Sequence, residues 1–333
     1  MSSFERILPY FPEEVQALIL DSTISDLMIN GTTGVFADRG GVMTRVPITQ
    51  AQSELQLRVA IEKIARVLGQ DITAQNPILN TRLPDGSRVA VVGPPAAING
   101  HTLTIRKFNR WFSSDELVAS GSMPRLVRDH VVQLIAQRKN GLISGGTGSG
   151  KTTTMKAFLD HVPISERLIL IEKPAELKLA HPNAVQWEVV DAIQGQAGVT
   201  ASELLAAALR HRPDRIVMGE IRDDCGYDLL QAMNTGHGGT LSTIHASSAV
   251  DALGRLANLA LSARSNINHG FIRSETAAAL DFVLYCERAA NGKRQVRELI
   301  EVRGYDQTTQ SFAVETLYHV NAPALIEEEV CAL

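Results

Sequence analysis

A net charge of −4 on 333 residues excludes a broadly cationic surface, so nonspecific binding to DNA or RNA is not expected, and nucleic acid is not a predicted direct ligand. With 44% hydrophobic and 20% charged residues the composition is that of a globular protein, and the length suits two domains at about 150 residues each. Cys225, Cys286 and Cys331 are too scattered for a disulfide framework or a paired-cysteine metal site, and no apolar run approaches the ~18 residues that cross a bilayer.

Met1–Glu14 mixes acids, prolines and aromatics and predicts no secretory signal, so any membrane association is expected to be peripheral or through a partner. From Ile24 to Arg39, Leu27-Met28-Ile29, Asn30-Gly31 and Val35-Phe36-Ala37 predict a hairpin or meander. Leu57, Ile61, Ile64 and Leu68 share one face of a 3.6-residue period and predict a helix over 52–68, stopped by Gly69. Arg88–Val92 and Thr102–Arg106 are further strand candidates. Residues 1–108 thus form a predicted small α+β domain, and 109–124 a linker holding the capping box Ser113-Ser114-Asp115-Glu116.

Beyond Leu126, short strands apolar on both faces (Leu142-Ile143, Leu168–Ile171, Ile216–Met218, Leu241–Ile244) alternate with helices that include 152–161 and 201–211. This alternation predicts a parallel sheet wound on both sides by helices across 125–333. Phe282–Cys286 and Val296–Val302 flank Asn291-Gly292, a hairpin signal.

Gly145-Gly146-Thr147-Gly148-Ser149-Gly150-Lys151-Thr152 follows an apolar strand, opens a helix and matches the phosphate-loop pattern in full. Glycines let successive amides turn inward onto phosphate oxygens, the helix N-terminus adds partial positive charge, Lys151 reaches the β- and γ-phosphates, and the Thr152 hydroxyl is a Mg²⁺ ligand candidate. Hydrolysis also needs a carboxylate to orient water and a sensor of the γ-phosphate. Glu172 and Glu220, with Arg222, end predicted strands, where parallel sheets place ligands, and His237 and His245 are sensor candidates.

In order and spacing, the phosphate loop, Glu172, Gly219-Glu220-Ile221-Arg222-Asp223, and Thr235-Gly236-His237 with Thr243-Ile244-His245-Ala246 resemble four boxes of one family. These are the Walker A, Asp, Walker B and His boxes of the secretion ATPases that serve type II secretion, type IV pili and type IV secretion. The resemblance covers residues 24–304, and Arg210-His211-Arg212-Pro213-Asp214-Arg215 is similar to the type IV secretion branch, TrbB-like conjugal-transfer ATPases in particular.

The resemblance implies a RecA-like ATPase core behind a smaller N-terminal domain. It further implies a homohexameric motor that hydrolyses ATP with Mg²⁺ on the cytoplasmic face of the bacterial inner membrane, partnered by secretion, conjugation or pilus machinery. It makes Glu172 the water-activating residue, puts Glu220 and Thr152 on the metal side, and assigns Lys151 and His245 to catalysis. Gly145–Thr153, His237 and Arg222 would bind ATP, joined by Arg82, Arg88 and Arg106 of the N-terminal domain. One departure stands out: the family's Asp box usually reads Glu-Asp, and here Lys173 follows Glu172.

Overall fold

The computed structural model describes residues 7–31, 33–39, 41–47, 53–83, 85–107, 111–192, 197–222, 225–263, 267–289 and 291–322. The chain divides into two units, Met1–Arg110 with Asn291–Lys293, and Trp111–Ala290 with Arg294–Leu333.

In the first unit, strands β1 (Ile24–Asn30), β2 (Gly34–Arg39), β3 (Val42–Val46), β4 (Ile78–Arg82), β5 (Arg88–Val92) and β6 (Thr102–Arg106) form an antiparallel sheet in the order β3-β2-β1-β6-β5-β4. Alternation sends Leu27, Ile29, Val89, Val91, Leu103 and Ile105 to one face. Helix α1 (Glu13–Leu20) and helix α2 (Glu54–Val67) share that core, α2 through Leu57, Ile61 and Ile64. Helix α2 begins where Ser53 and Gln56 close a reciprocal capping box, which sets its start within the predicted 52–68 span. Strands β3 and β4 escaped the sequence reading because four of the five β3 residues are exposed and Leu79 is the sole buried residue of β4, so neither alternates legibly.

The second unit is doubly wound. Strands β7 (Gly141–Gly145), β8 (Leu168–Glu172), β9 (Ala184–Glu188), β10 (Arg215–Met218), β11 (Leu241–His245) and β12 (Phe282–Arg288) pair in parallel, and β13 (Arg294–Asp306) and β14 (Ser311–His319) extend the sheet antiparallel. The order is β14-β13-β12-β7-β11-β10-β8-β9. One face carries α3 (Ser114–Ala119), α4 (Arg125–Ala136) and α5 (Lys151–Leu159), and the other α6 (Ala201–Ala208), α7 (Cys225–Asn234), α8 (Ala249–Ala263) and α9 (His269–Ala279).

Each central strand feeds both cores. On β8, Leu168 and Leu170 pack with Met155 and Phe158, whereas Ile169 and Ile171 pack with Leu229 and Leu253. Each such side chain contributes about 1.5–3 kcal/mol on burial, which explains why strands of only four or five residues hold. The stretch expected as a linker gives Leu117 and Met123 to the second unit's core, and its capping box starts α3 as read. Among the described residues, no helix is long and apolar enough to cross a membrane.

Candidate functional site

The phosphate loop joins β7 to α5 at the carboxyl edge of the parallel strands. Gly145, Gly148 and Gly150 have φ of 151°, 71° and 95°, values that L side chains rarely adopt. Gly150 is the N-cap of α5 and no side chain caps it, so the first amides of that helix remain available to an anion. Ser149 is buried and its Oγ has no hydrogen-bond partner, while a Cβ added at Gly146 would meet nothing within 4 Å. An open, glycine-bent cradle ending at a bare helix terminus fits a phosphate chain.

Lys151, only 7% exposed, folds back over the loop and donates from Nζ to the carbonyls of Gly145 (2.9 Å) and Gly146 (2.8 Å). Its Nζ also stands 3.4 Å from Nδ1 of His245. Burial pushes the Lys151 ammonium below the ordinary lysine value, with Glu220 acting against it.

His245 reaches this place because β11 pairs directly with β7, which puts it opposite Gly145. Its Nε2 lies 3.0 Å from Oε1 of Glu220, whose Oε2 accepts from Arg222 Nη2 at 2.6 Å. Glu220 is held over the end of β10 by its neighbours: Thr243 Oγ1 donates to the Gly219 carbonyl at 2.6 Å, and Ile221 N–H donates to the Thr243 carbonyl at 2.8 Å. A continuous polar chain thus runs Arg222–Glu220–His245–Lys151 into the loop. Burial, then the Lys151 charge, push the His245 imidazole below its ordinary value, so the ring is neutral near pH 7.

Glu172 ends β8 and is 4% exposed. Its Oε1 accepts the amides of Glu176 (3.0 Å) and Leu177 (3.1 Å). Its side chain lies against Gly219, where an added Cβ would sit 2.8 Å from Glu172 Cγ. Glu172 and Glu220 line one cavity of about 270 Å³ at the ends of β8 and β10. Lys173, the departure from the family's box, lines the same cavity and is ion-paired to Asp191.

The structure does not bring every candidate to this edge. His237 precedes β11 by four residues, and β11 runs parallel to β7 with Leu241 opposite Gly141, so His237 sits at the amino edge, away from the loop of its own chain. Arg82, Arg88 and Arg106 occupy one cross-strand row of the first unit: Arg82 faces Arg88, Arg88 faces Arg106, and Arg106 faces Asp26. Arg106 donates from Nε to Asp26 Oδ1 at 2.8 Å. Thr152 and Thr153 are half-buried in the first turn of α5. Asp223 and Cys331 lie outside the described residues.

No group of three or more His, Cys, Asp or Glu able to hold a metal occurs among the described residues. The Thr152 hydroxyl and the Glu220 carboxylate are oxygen donors of the kind that Mg²⁺ takes, few of them from protein, with water and substrate phosphate completing its shell. Two residues of β12 and β13 flank the loop, and their nearness to it was not legible in the sequence. Cys286, opposite Gly145 on β12, is fully buried with its thiol pushed up to about 11, which makes it packing rather than chemistry. Arg294, across the hairpin, contacts the loop itself. The Asn291-Gly292 turn gave the hairpin, but no local pattern announces that β12 pairs with β7.

Fold and site together define a P-loop nucleotide-binding enzyme with a RecA-like core. The chain belongs to the type II/IV secretion system protein family, whose sequence profile matches residues 12–314. It is 34% identical over 291 residues to a conjugal transfer protein TrbB of Rhizobium radiobacter (86% of this chain, 85% of that one) and 31% identical over 324 residues to a type IV secretion system protein VirB11 of Bartonella henselae (86% and 90%). Its fold is similar to that of the Legionella pneumophila ATPase DotB, with a TM-score of 0.62 at 18% identity over 97% of this chain and 85% of that one. The protein is an ATPase of the secretion family.

Proposed function

We propose that the chain hydrolyses ATP with Mg²⁺ as the hexameric motor of a conjugative type IV secretion machine, docked peripherally on the cytoplasmic face of the inner membrane. The similarity to TrbB and VirB11 proteins supports the branch. The observation that carries the chemistry is the Arg222–Glu220–His245–Lys151 chain leading into the phosphate loop.

In this reading, Lys151 leaves the Gly145 and Gly146 carbonyls when triphosphate arrives and neutralises its β- and γ-oxygens. Thr152 and Glu220 would hold the ion, which would supply Lewis-acid neutralisation of phosphate charge. Glu172, held in place by the amides of Glu176 and Leu177, takes a proton from water in the cavity it shares with Glu220. Lys151 and Glu220 are joined through the His245 ring, so release of the Lys151 carbonyl contacts changes what His245 and Glu220 bear on. This makes His245 the sensor of the γ-phosphate. The arginine row of Arg82, Arg88 and Arg106 presents clustered cations of the kind that phosphate recognition uses, which supports reading these arginines as phosphate-contacting residues.

Sedimentation velocity with ATP analogue and Mg²⁺, run beside a turnover assay, tests the proposal. A hexamer that forms with nucleotide and hydrolyses ATP is expected. A monomer at all concentrations would contradict the ring, and absence of turnover would contradict the motor.

A further inference from the structure

The β12–β13 hairpin sets two arginines against the outer side of the phosphate loop. Arg288 and Arg294 are opposite one another in the hairpin register, and β12 lies beside β7 with Cys286 opposite Gly145, so the hairpin continues past the strand end alongside the loop. Arg294 Nε donates to the Gly148 carbonyl at 2.8 Å. Its Cδ lies 3.5 Å from where a Cβ on Gly150 would stand, and Arg288 Nη1 lies 3.6 Å from the corresponding point on Gly148.

We propose that Arg294 is a positioning residue for nucleotide binding: by holding the Gly148 carbonyl outward it keeps the Ser149 amide turned into the phosphate cradle. The reason is the geometry of the peptide unit. In a planar trans peptide the C=O and the following N–H point in opposite directions. A carbonyl pinned to the guanidinium therefore leaves the Ser149 N–H facing the loop interior. That amide makes only a long 3.4 Å contact with the Gly146 carbonyl, a bond readily given up to a phosphate oxygen. Gly148 sits at φ 71° between glycine-flanked peptides, where the backbone has little steric restraint of its own. An external anchor supplies what the glycine sequence lacks. Preorganising amides before the ligand arrives lowers the ordering cost of binding.

This rests on the reading of Gly145–Thr152 as the nucleotide site, which uptake of ADP by the wild-type full chain tests separately. The anchor is tested by side chains matched at one atom. In Arg294→Gln the amide Nε2 takes the position of the arginine Nε, so the donor stays and the charge goes. In Arg294→Met the length stays and both donor and charge go. With ADP as probe in titration calorimetry, the Met variant is expected to bind about 3- to 10-fold more weakly than wild type, the worth of one hydrogen bond, and the Gln variant within about twofold of wild type. If the Met variant does not fold, Arg294→Ala takes its place with the same expectation. Wild-type affinity in the donor-less variant would overturn the proposal. So would a Gln variant as weak as Met, because the charge, acting on the ligand directly, would then be what matters.

Discussion

His245 Nε2 stands 3.0 Å from Glu220 Oε1, and the same ring turns Nδ1 to Lys151 Nζ at 3.4 Å. Both contacts are satisfied at once by one tautomer, with the proton on Nε2 donated to the carboxylate and the Nδ1 lone pair accepting from the ammonium. A protonated ring would put a second cation against Lys151 and lose that acceptor.

The pH dependence follows. Burial and the Lys151 charge hold the imidazole below its ordinary value of 6.5, so the working neutral form dominates above that pH and is lost as pH falls through the lowered value. We expect kcat/KM to decline on an acid limb centred below 6.5, since that quantity reports the free enzyme. His245→Asn should remove this limb and lower the plateau. An unchanged limb in that variant would assign it to another group.

Glu172 and Glu220 face one cavity from different strands, and their substitutions should separate. Glu172→Gln is expected to leave ATP binding intact and to reduce turnover by about 10²- to 10⁴-fold, the range of a lost general base. Glu220→Gln should raise the Mg²⁺ concentration needed for half-maximal turnover, which a magnesium titration at fixed ATP measures. The opposite pattern would exchange the two roles.

Gly219 is required by the approach of Glu172. In Gly219→Ala the new methyl meets Glu172 Cγ at 2.8 Å. Overpacking of this kind costs about 1–3 kcal/mol, equivalent to a loss of about 2–4 °C in melting temperature per kcal/mol for a unit of this size. Calorimetric melting checks the stability, and reduced turnover at a temperature where the variant is folded checks the displaced carboxylate.

At the far edge of the sheet, Arg215 is 0% exposed at the head of β10, with Nε 2.5 Å from Glu166 Oε2. Although burial works against it, the Arg215 and Arg138 guanidiniums hold the Glu166 carboxyl below its ordinary value of 4.5. The stability this confers is present above that pH and is lost as pH falls through the lowered value. Glu166→Gln leaves a buried charge without its counter-ion, at a cost of about 3–5 kcal/mol. Urea unfolding at pH 7 and pH 4 should show a large loss at neutral pH that narrows in acid.

Residues with local signatures were legible in the sequence. The phosphate loop announces itself because glycine-only φ values must be written as glycines, and β8, β10 and β11 are read because strands buried on both faces are apolar throughout. Glu172 and His245 could be picked out as the residues ending β8 and β11, and Glu220 as the acid just past the end of β10. What could not be read was pairing between distant segments. That β11 inserts between β7 and β10 decides that His245 meets the loop while His237, eight residues earlier, stands at the opposite edge. Arg294 is likewise invisible locally, since its contact with Gly148 depends on β12 lying beside β7.

The most direct test of the central claim is ATP turnover with Mg²⁺ by wild type and by Lys151→Ala, whose ammonium is the cation of the cradle. The wild-type chain is expected to hydrolyse ATP, and the variant to lose about 10²-fold or more, as sites do on losing one preorganised electrostatic group. A folded Lys151→Ala protein that hydrolyses ATP at the wild-type rate would contradict the account.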